Sequence, residues 1–158
     1  MKQTQPSDGA GNYHYVECGL PNVWLRNGFE KKRTPYGEGV SISDIEGLHR
    51  CISRTLCDKP GQLTGPEFRF LRRELDFSQK MIGEIFGRSD RSIRDLEHKD
   101  GVKEPYNGFI RHLYLESIDP ESSYIDLFKR LRSLDIEWHE QLTLASDSTG
   151  AWSVTGTA

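Results

Sequence analysis

A short charged stretch, residues 88–95, concentrates side chains that can bond to flat arrays of hydrogen-bond donors and acceptors. Arginine recurs there every third residue, with hydroxyl and carboxylate side chains between: Arg88, Ser89, Asp90, Arg91, Ser92, Arg94 and Asp95. A guanidinium group can donate to two acceptors at once, whereas a carboxylate accepts from an amino group. What these groups can bind depends on the elements that hold them.

Two predicted helices joined by a turn hold this stretch. Apolar residues recur at helical intervals in two registers, Met81, Ile82, Ile85 and Phe86, then Ile93 and Leu96. Ser78 and Ser89 are predicted to cap the two helices, and Gly87 stands where a helix ends with positive φ. Gly83 is small where two steeply crossing helices must meet backbone to backbone. The pattern predicts a helix-turn-helix, whose second helix enters the DNA major groove.

The spacing of these residues resembles the Xre-type (Cro/C1-like) helix-turn-helix family. The likeness rests on a leading Ser78-Gln79, the turn glycine Gly87 and a closing Glu97, and it covers about residues 64–115. Arg88 departs from the family pattern, which usually has an aliphatic residue just after the turn. The resemblance implies a DNA-binding regulator, and the alternative is an ordinary antiparallel helix pair.

Two sets of residues are predicted to contact DNA. Those at the start of the second helix are expected to read base edges: Asp90, Arg91, Ser92, Arg94 and Asp95. Those at the two helix starts are expected to bind phosphates: Ser78, Gln79, Lys80, Arg88 and Ser89. Arg94 fits a base or a phosphate contact, and Arg72 and Arg73 are either phosphate ligands or solvated. The alternative for each set is a solvated polar face.

The overall composition is compatible with a DNA-binding surface but does not by itself indicate one. The 158 residues are 35% hydrophobic and 28% charged, and their formal charge is −3. Residues 68–99 nevertheless contain eight basic and six acidic side chains, a local excess of two positive charges. No apolar run approaches the ~18 residues of a membrane helix, and the start of the chain does not resemble a signal peptide. Three cysteines, an odd number, favour a reducing, cytoplasmic location.

The cysteines and histidines do not predict a metal site or a catalytic centre. The candidates, Cys18, Cys51, Cys57, His14 and His49, contain no Cys-x-x-Cys pair. A Cys–His nucleophile lacks an apparent orienting residue, and Gly37-Glu-Gly39 lacks the lysine of a phosphate-binding loop. We therefore expect no metal, no cofactor and no enzymatic activity.

The predicted fold class is α+β. A small N-terminal β-hairpin or sheet plus helix module is expected over residues 12–58, and an all-α, five-helix-type Xre domain over residues 63–143. Residues 59–62 read as a linker, whereas residues 1–11 and 144–158 lack a pattern and are predicted to be disordered.

Individual elements follow from local signals. Two strands are expected over residues 12–29, with Asn27-Gly28 as a hairpin turn, a strand or loop over residues 29–33, and a break at Pro35–Gly39. Ser43 is predicted to cap a helix over residues 44–56, and Thr64 with Glu67 to form a capping box. The remaining helices are expected over residues 66–75, 106–117 and 122–134.

The arrangement of the chain resembles the MqsA (YgiT-like) antitoxin-type regulators. The N-terminal likeness rests on Glu17-Cys-Gly-Leu-Pro-Asn-Val-Trp-Leu25 and Tyr36-Gly-Glu-Gly-Val-Ser-Ile42. Zinc-bearing members build this module around two cysteine pairs that are missing here, so the resemblance implies a zinc-free relative. It implies a homodimer that binds a palindromic operator in double-stranded DNA and represses transcription. The alternative is an antitoxin that neutralises a toxin through the N-terminal module, whose aromatic residues form either a core or a partner surface.

Overall fold

A computed structural model describes residues 11–121 and 142–157. In chain order its elements are β1 (Tyr13–His14), a 3-10 turn (Val16–Cys18), β2 (Trp24–Leu25), β3 (Phe29–Thr34), β4 (Gly37–Ile42), α1 (Ile45–Asp58), α2 (Gly65–Glu74), α3 (Gln79–Phe86), α4 (Asp90–Leu96), α5 (Tyr106–Ile118), β5 (Leu142–Ser146) and β6 (Trp152–Thr157). Mixed helices and small antiparallel sheets confirm the predicted α+β class. The helix predicted over residues 122–134 lies outside the described residues, as does most of the segment 1–11.

The N-terminal strands form two separate antiparallel pairs, β1 with β2 and β3 with β4. The first predicted strand is shorter than expected because a 3-10 turn follows it, closed by a bond from the Gly19 N–H to the Val16 oxygen at 2.9 Å. Strand β4 occupies part of the predicted break. The break itself is confined to Pro35-Tyr36, where the Thr34 hydroxyl bonds across the turn to Gly37 at 2.8 Å.

Helix α1 begins one residue later than its predicted cap implies. Asp44, not Ser43, is the N-cap: its carboxylate accepts from the Gly47 N–H at 3.1 Å. The Ser43 N–H instead donates to the Gly28 oxygen at 2.8 Å, which extends the bonding of the preceding hairpin. Asp44 has a φ of 47°, a conformation that aspartate tolerates better than most residues.

The caps predicted for the next three helices are confirmed. Thr64 and Glu67 form a complete capping box at the start of α2. Ser78 caps α3 and Ser89 caps α4, each through its side-chain oxygen. Gly87 ends α3 with a φ of 64°, so the two predicted helices and their turn are present as expected.

One hydrophobic core joins the N-terminal elements to the helices. Leu20 and Leu56 belong to the same buried cluster as Phe68 and Ile82. Residues 59–62, predicted to be a linker, are bonded to α5: Arg111 donates to the Lys59 oxygen at 2.8 Å and to the Gly61 oxygen at 2.6 Å. Helix α1 also packs against both α2 and α5. The predicted boundary between two modules is therefore bridged by shared packing.

The prediction of disorder after residue 143 is wrong for most of that segment. Strands β5 and β6 form an antiparallel hairpin. Asp147 organises its turn, accepting from the backbone N–H of Thr149 at 2.8 Å and of Ala151 at 3.1 Å. A bond from the Thr149 side chain is the main cause that lowers the pKa of this carboxyl group. Asp-Ser-Thr-Gly is thus the turn sequence between two strands that contain both apolar and polar residues.

Gly83 lies where α3 and the following turn come closest. A Cβ atom at this position would lie 2.4 Å from the backbone oxygen of Arg88. Overpacking of this kind costs about 1–3 kcal/mol, which exceeds the ~1 kcal/mol by which alanine is favoured over glycine in a helix. We expect Gly83→Ala to lower the free energy of unfolding by up to about 2 kcal/mol, measured by urea denaturation. Gly39→Ala, whose Cβ would meet its nearest atom at 3.9 Å, is the control; a more stable Gly83→Ala protein would contradict this account.

Candidate nucleic-acid interface

Helix α4 presents its polar residues to solvent. Ile93 and Leu96 are buried in the core, whereas the five residues predicted to read bases, Asp90, Arg91, Ser92, Arg94 and Asp95, are all exposed. At 100° per residue, Arg91 lies opposite the buried pair, at the centre of the exposed face. Ser92 lies at its edge, and its hydroxyl bonds to that of Ser89 at 2.9 Å. Arg91 is therefore the residue best placed to reach another molecule.

Electrostatics also distinguish Arg91 from its neighbours. The Asp90 carboxylate accepts from the Arg91 backbone N–H at 2.9 Å and lies 4.0 Å from the Arg94 guanidinium. An exposed ion pair of this kind contributes only about 0.3–0.5 kcal/mol to stability. The Arg91 guanidinium has no ion-pair partner in the part of the chain that the structure describes. It is free to bond to a planar pair of acceptors.

A buried ionic cluster holds the predicted recognition unit, residues 78–97, against α2. The Arg72 guanidinium donates to the Glu97 carboxylate at 2.5 and 3.3 Å and to the Phe77 oxygen at 2.7 Å. The Gln79 amide donates to the second oxygen of Glu97 at 2.8 Å. Arg72 is thus neither a solvated residue nor available to a phosphate.

Gln79 stays a predicted phosphate ligand, but the structure gives its amide group a second role. One N–H of that amide donates to the Glu97 carboxylate at 2.8 Å, and the side chain is half-buried. The sequence identifies Glu97 as part of the family pattern, but it does not reveal that Arg72 and Gln79 both donate hydrogen bonds to its carboxylate. The three residues lie up to 25 positions apart, so no local pattern links them.

We expect Gln79→Ala to lower the free energy of unfolding by about 1.5–3 kcal/mol, because a hydrogen bond to a buried carboxylate is lost. Urea denaturation followed by far-ultraviolet circular dichroism measures the change. Lys80→Ala is the matched control: Lys80 is exposed and lies 4.0 Å from Glu84. Equal stability of both variants would show that Gln79 contributes nothing to the ionic cluster.

The other predicted phosphate ligands lie on the surface near the two helix starts. Ser78 and Ser89 use their hydroxyl oxygens as caps, while Lys80 and Arg88 are exposed. Arg88 also borders a cleft of about 270 Å³ whose lining includes Lys99 and Tyr106, residues that the predicted site did not contain. These positions surround α4 with positive charge at both ends.

Among the described residues, no group of three or more histidine, cysteine or acidic side chains could hold a metal ion. Cys18, Cys51 and Cys57 are free thiols. Burial is the main cause that raises the pKa of Cys57 to about 11, so this sulfur is a neutral thiol at physiological pH.

A hydrogen-bonded chain that the sequence did not reveal links three elements. The Tyr15 hydroxyl lies 2.9 Å from His49 Nε2, and His49 Nδ1 lies 2.7 Å from the Glu74 carboxylate. These residues belong to the N-terminal segment, α1 and α2. Tyr15 is buried, and burial is the first cause that raises its hydroxyl pKa. This series of hydrogen bonds holds the N-terminal segment against the helices.

No helix within residues 11–121 and 142–157 has the length and apolarity needed to cross a membrane. Comparison with models of protein families, with curated proteins and with solved structures finds no match to this chain. Function is therefore inferred from the positions and chemistry of the residues themselves.

Proposed function

We propose that this protein is a sequence-specific, double-stranded-DNA-binding transcriptional regulator, a repressor that acts through α3, its turn and α4. The observation that carries the proposal is the exposed face of α4, which centres on Arg91, whose guanidinium has no ion-pair partner within residues 11–121 and 142–157. Ile93 and Leu96 fix that helix from beneath. A surface with rigid backing and free bidentate donors is suited to reading base edges.

The dimensions of α4 support major-groove binding. An α-helix with its side chains is about 10–12 Å in diameter, which matches the major-groove width of about 12 Å. The seven residues of α4 are roughly 10 Å long, enough to contact a few base pairs. In this mode Arg91 would bond to guanine, while Asp90 or Asp95 would accept from a cytosine amino group. Arg88 and Lys80 would contact the flanking phosphates.

Charge supports a mode of binding that depends on few phosphate contacts. The whole chain carries −3 formal charges, and the cations beside α4 are few. Since each neutralised phosphate contributes about 0.9 to the logarithmic salt slope, we infer a modest salt dependence. Specificity must then come mainly from base contacts.

The small number of base contacts that one α4 helix can make supports a homodimer. One short helix reads only a few base pairs, which is too little to select a site in a genome. The family resemblance of the recognition unit implies a dimer on a palindromic operator, with half-sites about one helical turn apart. Each residue on α4 would then be used twice.

Selection of bound duplexes from a random DNA library tests the proposal. We expect a palindromic consensus with the wild-type protein and none with the double variant Arg91→Glu/Arg94→Glu, whose fold is checked by circular dichroism. Arg54→Glu, an exposed arginine of α1, is the matched control and should retain the consensus. Absence of enrichment with the wild-type protein would overturn the proposal.

A second candidate function is the binding of a toxin or other protein partner by the N-terminal strands. It is favoured by the fully exposed ring of Tyr36 at the tip of the β3–β4 hairpin and by the exposed Trp24. A stoichiometric partner that co-purifies with the Arg91→Ala protein but not with Tyr36→Ser would support it. Retention of that partner by Tyr36→Ser would count against this surface.

A further inference from the structure

A cleft of about 420 Å³ separates the 3-10 turn from α2, on a part of the molecule that the DNA-binding proposal does not use. Its lining includes Cys18, Gly19, Pro66, Arg69, Phe70 and Arg73. Its volume falls within the range of small-molecule sites, about 300–1,000 Å³. The cleft is therefore large enough to enclose a small organic compound.

Helix α2 directs one face into this cleft. Pro66, Arg69, Phe70 and Arg73 follow the spacing of a single helical face. Phe70 is buried and supplies an apolar floor, whereas both arginines are exposed. Arg73 lies in the last turn of α2, where the helix dipole favours a cation, but Arg69 one turn earlier repels it.

The guanidinium groups of the two arginines are available to a ligand. In the described part of the chain, neither Arg69 nor Arg73 takes part in an ion pair or a side-chain hydrogen bond. Two carboxylates also line the cleft, but each has another partner: Glu17 accepts from the Tyr13 hydroxyl, and Glu74 lies 2.7 Å from His49. The cleft thus contains two guanidinium groups that form no ion pair within the described residues, beside two carboxylates that are bonded to other side chains.

We propose that this cleft binds a small organic anion, a carboxylate or a phosphate monoester, whose oxyanion bonds to Arg69 and Arg73. Guanidinium groups bind such oxyanions bidentately. The organic part of the ligand would lie on Phe70 and Pro66, and the backbone of Gly19 closes the opposite wall. Burial raises the pKa of the Cys18 thiol, so the sulfur beside the site carries no opposing negative charge at neutral pH.

A nucleic-acid backbone fits this cleft less well than a small anion does. The walls include the carboxylates of Glu17 and Glu74, which would repel a continuous series of phosphates. A single oxyanion can instead approach the arginines alone. The cleft is also concave, which is typical of small-molecule sites.

The test uses the full-length protein without DNA, so it is independent of the proposed function. Inorganic phosphate and citrate are titrated separately against a constant chloride background, and binding is followed by amide chemical shifts in nuclear magnetic resonance spectra. We expect one saturable site with a dissociation constant of about 1 mM or lower for at least one probe. Binding of phosphate alone would identify phosphate monoesters, and binding of citrate alone would identify carboxylates.

The location of the shifts and a variant test whether the arginines form the site. The shifts should centre on Cys18, Gly19 and Phe70. Arg69→Gln/Arg73→Gln should weaken binding at least about tenfold, whereas the control Arg54→Gln should bind as the wild type does.

Three outcomes would overturn the proposal. In the first, neither probe saturates the chemical shifts at concentrations up to about 20 mM. In the second, the shifts centre on another part of the protein. In the third, the double variant binds the probe as tightly as the wild type does. If that variant fails to fold, the wild-type shift map alone decides.

Discussion

Replacing Arg72 with alanine is expected to lower the free energy of unfolding by about 3–5 kcal/mol. Arg72 is 8% exposed and Glu97 is 4% exposed, so removal of the guanidinium leaves a buried carboxylate with Gln79 as its remaining side-chain donor. The backbone oxygen of Phe77 also loses the bond that Arg72 provides. Urea denaturation measures the loss.

The neighbouring residue provides the control for Arg72. Arg73→Ala removes the same guanidinium one position later, from an exposed site, and should change stability by less than about 0.5 kcal/mol. A loss below about 1 kcal/mol for Arg72→Ala would mean that the buried pair does not hold α2 to α4. A double variant with Glu97→Leu, which removes both charges, should recover part of the lost stability.

Replacing Arg91 with alanine is expected to weaken binding to the selected operator by about 1–3 kcal/mol per half-site. The exposed guanidinium at the centre of α4 would supply a bidentate contact to one base pair. Its loss should also relax the preference at that position of each half-site. Quantitative binding assays on the consensus and on single-base variants measure both effects. Arg91→Lys keeps the charge but loses the planar pair of donors, so it should relax the preference as well.

A phosphate contact behaves differently, which provides the comparison for Arg91. Lys80→Ala should weaken binding to all duplexes alike and reduce the salt slope by about 1. Because Lys80 is exposed, the fold should tolerate this change. If Arg91→Ala leaves both affinity and base preference unchanged, the assignment of Arg91 to a base edge is wrong.

The features that could be predicted from the sequence are those set by neighbouring residues. Caps at Thr64, Ser78 and Ser89 and the turn at Gly87 depend on interactions within four positions, and all four are confirmed. The exposed face of α4 follows from its apolar spacing in the same way. Local errors also occur: the cap is Asp44 in place of Ser43, and Asn27-Gly28 does not close a hairpin, because β2 pairs with β1 and β3 pairs with β4.

The features that could not be predicted depend on distant parts of the chain. Arg72 reads as a surface residue because its partner Glu97 lies 25 positions away. The cleft between the 3-10 turn and α2 likewise joins residues about 50 positions apart. Strands β5 and β6 are a local error: Trp152-Ser-Val-Thr155 alternates apolar and polar residues as a strand does, but the Ser, Thr and Gly around it were read as a disordered tail.

The core shared between α1 and the later helices has a consequence for protein engineering. Leu20 and Leu56 complete the cluster around α2, and Arg111 fastens the segment before it. A fragment beginning at residue 63 would expose the apolar surface that these leucines cover and lose the carbonyl partners of Arg111. The predicted recognition unit therefore cannot be transferred to another protein alone. A graft must also include α1 and Leu20.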